Sequence, residues 1–340
     1  MKEITNIQYL RALAVLSVVT HHVTGASQSY DLPAEALSIL VPLGQSGVDL
    51  FFVISGFIMV YIQKEKIRSP QSFFLSRVIR ILPLYWLLTF LLVLLRYIAP
   101  SFFRFSSAPT HGDFIASLVF LTEAIFAPKA VLFLGWTLEY EMLFYALFSI
   151  SLFASTLQKS ILFSTAVILA VLIIYPSLMP SSMMMIEFLG GMLIGSIYLR
   201  SASILRSAPA ILMGGLILLS LTLFFDFFEF NPEYTHGLPR VLKWGIPSML
   251  IVFGSVFSKQ GNNRLLSKIG DASYSIYLIQ AFTIPCYYKF VSILGVGVIP
   301  NDVLAIGCLL FTAIVGVITY TMLEKPTHLF LNRKLAGKLQ

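Results

Sequence analysis

The chain has 340 residues, of which 57% are hydrophobic and only 11% are charged, and its mean hydropathy is +0.86. Soluble domains carry about twice that proportion of charged residues. Apolar stretches of membrane-spanning length recur from end to end, which excludes an ordinary soluble enzyme and indicates a polytopic membrane protein. The net charge of +7 comes from basic residues scattered through short loops without a basic stripe, so nucleic acid is not an expected partner.

Ten hydrophobic spans are predicted, and they make an all-α, polytopic membrane helical bundle. They lie near residues 7–25, 46–63, 81–98, 131–153, 160–178, 183–199, 208–228, 239–257, 272–294 and 302–323. Before the third span, residues 71–80 (QSFFLSRVIR) are expected to form a short amphipathic helix on the cytoplasmic surface. Residues 99–130 form the longest predicted outer loop. The simplest organisation is one integral membrane domain over residues 1–340, with no soluble C-terminal domain.

The basic residues are distributed unevenly between the two sides of the predicted bundle. With a cytoplasmic N-terminus, sixteen of the 23 Lys and Arg residues lie in inner loops or tails, six lie outside, and Arg11 lies within the first span. Cytoplasmic loops of membrane proteins carry an excess of Lys and Arg. We therefore expect both termini in the cytoplasm of a multi-pass protein of the bacterial inner membrane.

The two cysteines, Cys286 and Cys308, both lie in apolar segments. Their spacing fits neither a disulfide framework nor a metal site. We therefore expect a protein without a metal cofactor.

The first span, YLRALAVLSVVTHH over residues 9–22, carries Arg11 near its start and His21 and His22 near its end. Eleven helical residues rotate by about 1100°, only about 20° past three full turns, so Arg11 and His22 project from one face. They are separated by roughly 16 Å along the axis. His21 is rotated about 80° the other way. The spacing therefore selects His22.

Other polar residues of the spans fall into the same two layers. Asp49, Glu139 and Glu141 enter their spans from the outer side, as His22 does, whereas Arg77 and Arg80 lie at the cytoplasmic mouth of span three. We expect Glu139 to face the membrane interface, which leaves the deeper Glu141 as the better catalytic candidate. Asp49 has a structural alternative as a carboxylate at a helix start.

This layering suggests a chemistry. A histidine near a carboxylate suits general base catalysis, because the acid fixes the tautomer and stabilises the imidazolium. Guanidinium groups match phosphate oxygens, so the inner arginines suit a polyphosphate. A donor with a phosphorylated head and a long arm, laid along the first helix, would present its reactive end near His22.

Each candidate also has a structural interpretation. Arginines near helix ends commonly extend their charge to the interface, and Arg77 and Arg80 also fit the positive-inside pattern. A single histidine such as His22 can serve only to bridge two helices. The methionine-rich run SMMMIEFLGGMLIG at residues 182–195 is interpreted as packing.

The motifs together resemble the acyltransferase-3 family of integral membrane acyltransferases, particularly its exopolysaccharide O-acetyltransferase branch. The resemblance covers essentially the whole chain. It rests on YLRALAVLSVVTHH, GVDLFFVISGFIM, RVIRILPLYW, GWTLEYEMLFY, GDASYSIYLIQ and the closing EKP at Glu324–Pro326, in that order.

The resemblance implies roles for individual residues. The family's arginine–ten residues–histidine motif falls on Arg11 and His22, its Arg-x-x-Arg element on Arg77 and Arg80, and its glutamate on Glu141. Supporting roles are implied for residues of the shared motifs, namely Asp49, Ser55, Trp136 and Tyr274. The family usually has a histidine two residues after SYSIYL, where this chain has Gln280, which puts proton transfer at that position in question.

The function implied is transfer of an acyl group, usually acetyl, from cytoplasmic acetyl-CoA to a sugar hydroxyl on the outer side. The acceptor would be a polysaccharide or a lipid-linked glycan. His22 would act as base or accept the acyl group transiently, Glu141 would assist it, and Arg11, Arg77 and Arg80 would hold the CoA phosphates. The sequence leaves the oligomeric state open.

Two alternatives stand beside the enzyme. A multi-span transporter of a sugar or lipid-linked glycan could use His22 and Glu141 as a proton relay. Carriers commonly show paired broken helices and internal repeats, and we find neither in the sequence. A non-catalytic relative that retains the pocket is the other alternative, because Gln280 departs from the family pattern.

Overall fold

A computed structural model describes residues 4–98, 110–122, 130–154, 156–174, 182–201, 205–224, 237–295 and 299–336. Within these ranges all regular secondary structure is helical, as the hydrophobic pattern predicts. Cys286 and Cys308 are both free thiols.

The α-helices are numbered in chain order. They are α1 Thr5–Ser29, α2 Glu35–Ser38, α3 Val41–Tyr61, α4 Pro70–Ile98, α5 His111–Leu118, α6 Gly135–Ser151, α7 Leu157–Ile174, α8 Met185–Arg200, α9 Ala208–Leu221, α10 Leu238–Arg240, α11 Ile246–Phe257, α12 Arg264–Asp271, α13 Ser273–Leu294, α14 Asn301–Thr319 and α15 Lys325–Ala336. Two π-helical turns, Val241–Gly245 and Tyr320–Glu324, join α10 to α11 and α14 to α15 without a break.

Each of the ten predicted spans coincides with a helix over the residues that the structure describes, although two of them are longer than expected. The amphipathic segment 71–80 and the third span form one helix, α4, with Pro83 in its interior. Proline has no backbone N–H, so the carbonyl one turn earlier loses its hydrogen-bond donor. A membrane bundle tolerates this loss because neighbouring groups can donate to that carbonyl instead. The tenth span continues through its π turn into α15. Most of the predicted outer loop 99–130 lies outside the described residues, and its described part contains α5.

Among the residues that the structure describes, four helical stretches are long and apolar enough to cross a membrane. They are Val41–Tyr61, Pro70–Ile98, Leu238–Phe257 and Asn301–Lys334, and two shorter apolar helices cover Leu157–Ile173 and Ala208–Leu221. The apolar helices support a membrane protein, and the count of ten spans with both termini inside stays a prediction.

The chain divides into two compact units. Unit 1 comprises residues 1–14, 45–75 and 140–270. Its core is a cluster of Ile, Leu, Val and Phe side chains from α1, α3, α8, α9 and α11. Glycines bring α3 and α8 into close contact: a Cβ at Gly191 would lie 2.0 Å from the carbonyl oxygen of Val53, and one at Gly56 would lie 2.1 Å from that of Phe188. Small residues that permit such approach are typical of helix packing in membranes.

Unit 2 comprises residues 15–44, 76–139 and 271–340. Helices α13 and α14 pack along their lengths, with Gly316 against Ile276 and a hydrogen bond of 2.9 Å between the hydroxyls of Thr283 and Thr312. The outer part of α1 joins them, because the Tyr288 hydroxyl donates to the carbonyl of Val23 at 3.3 Å. Unit 2 therefore contains His22, Arg77 and Arg80, and unit 1 contains Arg11, Asp49 and Glu141.

Candidate active site

His22 lies on α1, and its hydrogen-bond partner is the side chain of Gln280 on α13. The Nδ1 atom of His22 is 3.0 Å from Oε1 of Gln280. The amide of Gln280 is buried and held in one orientation, since its Nε2 donates to the carbonyl of Tyr277 at 2.8 Å. Oε1 can only accept, so His22 donates through Nδ1–H. In the neutral imidazole the lone pair is then on Nε2, and no other hydrogen bond engages the ring within the described residues.

Two aromatic rings lie against His22 in unit 2, and a hydroxyl pair links α13 to α6 in the same unit. The Phe133 ring meets it edge-on with a centroid distance of 5.2 Å, and the His21 ring lies at the same distance. The Tyr277 hydroxyl is 2.7 Å from that of Thr137 and donates to the carbonyl of Leu134 at 3.1 Å. These bonds join α13 to the start of α6. The imidazole is therefore held against the rings of His21 and Phe133 with one nitrogen engaged.

Glu141 lies on α6 and belongs to unit 1. Its Oε1 accepts a hydrogen bond of 3.0 Å from Ser55 on α3 and a second one from the Tyr145 hydroxyl. Two hydroxyl donors hold the carboxylate in one orientation. The predicted supporting residue Ser55 thus contacts a predicted catalytic one. The group that orients His22 in its own unit is an amide and not a carboxylate.

The expectation that Glu139 faces the membrane interface was wrong. Its side chain is 3% exposed, and Oε1 accepts from the backbone amide of Thr122 at 3.1 Å and from the Thr122 hydroxyl. A buried carboxylate needs such donors. Glu139 therefore fastens the segment after α5 to α6.

Asp49 on α3 pairs with Arg240, which lies at the start of the predicted span 239–257. The Arg240 Nε donates to Oδ1 at 3.1 Å and Nη2 to Oδ2 at 2.8 Å. Glu187 on α8 is fully buried and interacts electrostatically with both residues. Asp49 thus contacts Arg240. The supporting role of Asp49 toward His22 remains a prediction.

The interpretation of residues 182–195 as packing alone therefore missed Glu187, and the sequence analysis gave Arg240 no role. One signal was available. Asp49, Glu187 and Arg240 each stand within the first five residues of a span that enters from the outer side. Three ionisable residues at one depth are costly unless they meet. Sequence spacing could not pair them, because they are on three different helices.

The three arginines predicted to bind the donor differ in their contacts. Arg11 is 8% exposed, and its Nη1 donates to Oε1 of Gln8 at 3.1 Å. Arg77 is 9% exposed, and its Nε is 3.4 Å from the hydroxyl of Ser76. The Arg80 side chain makes no hydrogen bond or ion pair to any described residue, and it lines a cavity of about 60 Å³.

That cavity lies between α4 and the segment that joins α14 to α15. Its polar lining residues are Arg80, Glu324, Thr327 and His328. Glu324 accepts a hydrogen bond of 2.5 Å from Ser275 at the start of α13. Next to Ser275, the predicted supporting residue Tyr274 donates to the carbonyl of Ile81 on α4 at 2.8 Å. Trp136, the other supporting residue, is the second residue of α6 and is half-buried.

The apolar helices indicate an integral membrane protein, and the family match shows that it is an acyltransferase. The chain belongs to the acyltransferase-3 family. The family model, which is described as an acyltransferase domain, matches residues 4–322. It is similar to the exopolysaccharide production protein ExoZ of Rhizobium meliloti (strain 1021), with 33% identity over 311 residues that cover 84% of this chain and 89% of ExoZ. No solved structure matches the chain.

Proposed function

We propose that this protein is an O-acyltransferase of the bacterial inner membrane. It transfers an acetyl group from cytoplasmic acetyl-CoA to a hydroxyl of an exopolysaccharide or its lipid-linked precursor. Membership of the acyltransferase-3 family supports the reaction class, and the similarity to an exopolysaccharide production protein supports the acceptor class.

The observation that carries the proposal is the hydrogen-bonded state of His22. Gln280 holds Nδ1, so the unprotonated Nε2 is the atom able to take a proton. A catalytic base must be oriented by a second group and must keep one nitrogen for the reacting proton. An imidazole with both nitrogens bonded to helices would serve as a structural bridge instead.

The proposed step is direct transfer of the acetyl group. Nε2 of His22 removes the proton from the acceptor hydroxyl while its oxygen attacks the thioester carbonyl. The carbon–sulfur bond then breaks, and the thiolate of CoA takes the proton back from the imidazolium. Acetyl-CoA and alcohol become ester and CoA thiol, and His22 returns to its starting state. Gln280 accepts from Nδ1–H throughout the cycle.

Helix α13 gives the geometric support for donor binding, since it reaches both His22 and the cavity beside Arg80. Ser275 on α13 bonds the cavity residue Glu324, and Gln280 on the same helix bonds His22. Five residues separate the two contacts, which corresponds to about 7 to 8 Å along the helix axis. A donor with phosphates held by Arg77 and Arg80 and an extended pantetheine arm spans such a distance.

Glu141 and Arg11 keep their predicted roles in this scheme. Glu141 has a carboxylate held by Ser55 and Tyr145, which suits a group that must present its charge in one direction. Arg11 is buried and lies on the same face of α1 as His22. We propose that its guanidinium helps to bind the donor phosphates.

The test combines a chemical and a cellular measurement. Purified protein in lipid nanodiscs is mixed with acetyl-CoA and a glycan acceptor, and free thiol is measured with and without acceptor. Surface polysaccharide from cells with and without the gene is analysed for O-acetyl groups. We expect acceptor-dependent thiol release and an O-acetyl signal that disappears with the gene. Transport of the glycan without thiol release would contradict the proposal and indicate a carrier.

A further inference from the structure

The cavity beside Arg80 is built by one face of each of two helices. On α4 its lining residues follow helical spacing, at Ile79, Arg80, Pro83, Leu84 and Leu87. On the facing segment Glu324 ends the π turn, and Thr327 and His328 follow three and four residues later. The π turn contains one residue more than an α-helical turn would, so it sets which side chains of α15 face the cavity.

The volume of the cavity suits a small polar group. About 60 Å³ is available, whereas one water requires roughly 10–15 Å³ by the same measure. A group of several heavy atoms therefore fits, such as a phosphate.

The cavity wall carries two basic side chains, Arg80 and His328, and one carboxylate, that of Glu324. Arg80 has an unengaged guanidinium at its wall, and both Arg80 and Arg77 act electrostatically on His328. The carboxylate of Glu324 is engaged by the Ser275 hydroxyl, and Asn332 contacts the His328 ring at 3.0 Å. Basic groups that face one another repel unless an anion lies between them. Phosphate is the anion for which arginine forks and an imidazole donor are both suited.

We propose that this cavity binds one phosphate group of the acyl donor, and that His328 is a second basic contact of that phosphate beside Arg80. The identity of the donor rests on the proposed function, whereas the preference for a phosphate rests on the cavity. His328 follows the EKP motif at Glu324–Pro326 by two residues. Glu324 of the motif ends the π turn, and Lys325 and Pro326 begin α15, on which His328 lines the cavity.

The experiment measures binding of CoA to the purified full-length protein by calorimetry, at low and at high salt. His328→Gln keeps a polar side chain but cannot carry charge, and His328→Arg restores a cation. The matched control is His111→Gln, a change in an exposed histidine on α5 of the same unit, which does not line the cavity.

We expect His328→Gln to weaken CoA binding by about tenfold at low salt and by less at high salt. His328→Arg should bind within about twofold of the wild type, and His111→Gln should bind like the wild type. Pantetheine, which has no phosphate, should bind equally to wild type and His328→Gln. Binding of dephospho-CoA then identifies the phosphate. If wild type and His328→Gln bind dephospho-CoA equally, the phosphate that dephospho-CoA lacks is the one bound in the cavity.

Three outcomes would overturn the cavity assignment. They are unchanged CoA binding in His328→Gln, equal weakening in His328→Arg, or an equal loss of pantetheine binding. The proposed function is judged separately by thiol release. If CoA binding depends on His328 but no acetyl group is transferred, the cavity assignment stands and the reaction fails. If acetyl transfer proceeds and His328→Gln alters no CoA affinity, the reaction stands and the cavity assignment fails.

Discussion

Asp49 and Arg240 form a buried, forked ion pair inside unit 1. Two donor nitrogens of the guanidinium meet the two carboxylate oxygens at 3.1 and 2.8 Å, and the side chains are 0% and 6% exposed. Arg240 also donates to the carbonyl of Gln45 at 3.2 Å and lies over the Trp244 ring at 4.9 Å. Glu187 approaches from α8 against Gly245. The pair therefore fastens the segment at the start of α11 to α3.

Loss of Arg240 alone should be strongly destabilising. Arg240→Met leaves the Asp49 carboxylate buried without its counter-charge, which costs about 3–5 kcal/mol of the free energy of unfolding. The measurement is thermal unfolding in detergent at matched protein levels. The double variant Asp49→Leu/Arg240→Met should recover part of that loss, because the Asp49 carboxylate is removed together with its counter-charge while Glu187 stays buried. Lys243→Met is the control and should change stability by about 1 kcal/mol or less, since Lys243 is partly exposed and meets the Trp244 ring in a cation–π interaction.

The two adjacent histidines should differ sharply in their effect on catalysis. His22→Ala should lower acetyl transfer about a hundredfold or more, because His22 is the proposed base. His21→Ala should retain most activity, since its side chain packs against Gly44 on α3 and lies on another face of α1. Both variants should insert alike. The measurement is O-acetylation of the glycan in cells at equal protein levels. An inactive His21→Ala with an active His22→Ala would refute the helix-face argument.

Gln280 should act as a positioning residue for His22. Gln280→Leu removes the acceptor for Nδ1–H, so the tautomer is no longer held, and kcat should fall about tenfold or more while the KM for acetyl-CoA stays within about twofold. Gln280→Glu retains an acceptor oxygen and should keep most of kcat.

The control for Gln280 is Thr283→Val on the same helix. Thr283 is buried and bonded to Thr312, so its loss should lower the unfolding temperature without a change in kcat. If Gln280→Leu and Gln280→Glu are equally impaired, or if donor KM changes instead of kcat, Gln280 has a structural role only.

Two glycines in unit 1 give a matched test of the helix contacts. Gly191→Ala places a methyl group 2.0 Å from the Val53 carbonyl oxygen, so α3 and α8 must separate, and we expect a loss of about 1–3 kcal/mol. Gly214→Ala on α9 meets nothing within 4 Å and should be neutral or stabilising by up to about 1 kcal/mol. The measurement is the unfolding temperature of each variant. Equal temperatures would mean that the contact between α3 and α8 is looser than described.

The predicted topology can be tested with reporter fusions. A fusion after residue 115 should be external and a fusion after residue 262 cytoplasmic, because basic residues are concentrated in the loops assigned to the inside. The control is a fusion after residue 66, in a loop that contains Lys64, Lys66 and Arg68 and should also be cytoplasmic. Reversed locations would contradict ten spans with both ends inside and would place the Arg80 cavity on the outer side.

The helices were predictable because their signal is local. Each apolar run is visible in consecutive residues, and the eleven-residue spacing of Arg11 and His22 depends only on helix geometry, which α1 confirms as one unbroken helix. The union of 71–80 with the third span was missed because an interior Pro83 commonly marks a helix boundary. The continuation through Tyr320–Glu324 was missed because a π turn has no sequence signature comparable to a cap.

The sequence by itself determined the class of this protein, the helices and the residue types able to do chemistry, since hydrophobicity, helical period and ionisable side chains are properties of the chain alone. Only the tertiary structure decided which polar groups meet. Gln280 reaches His22 across 258 positions of sequence, and Arg240 reaches Asp49 across 191. Such pairings are selected by the requirement that a buried polar group find a partner. That requirement acts on neighbours in space, and no local pattern records which neighbour it will be.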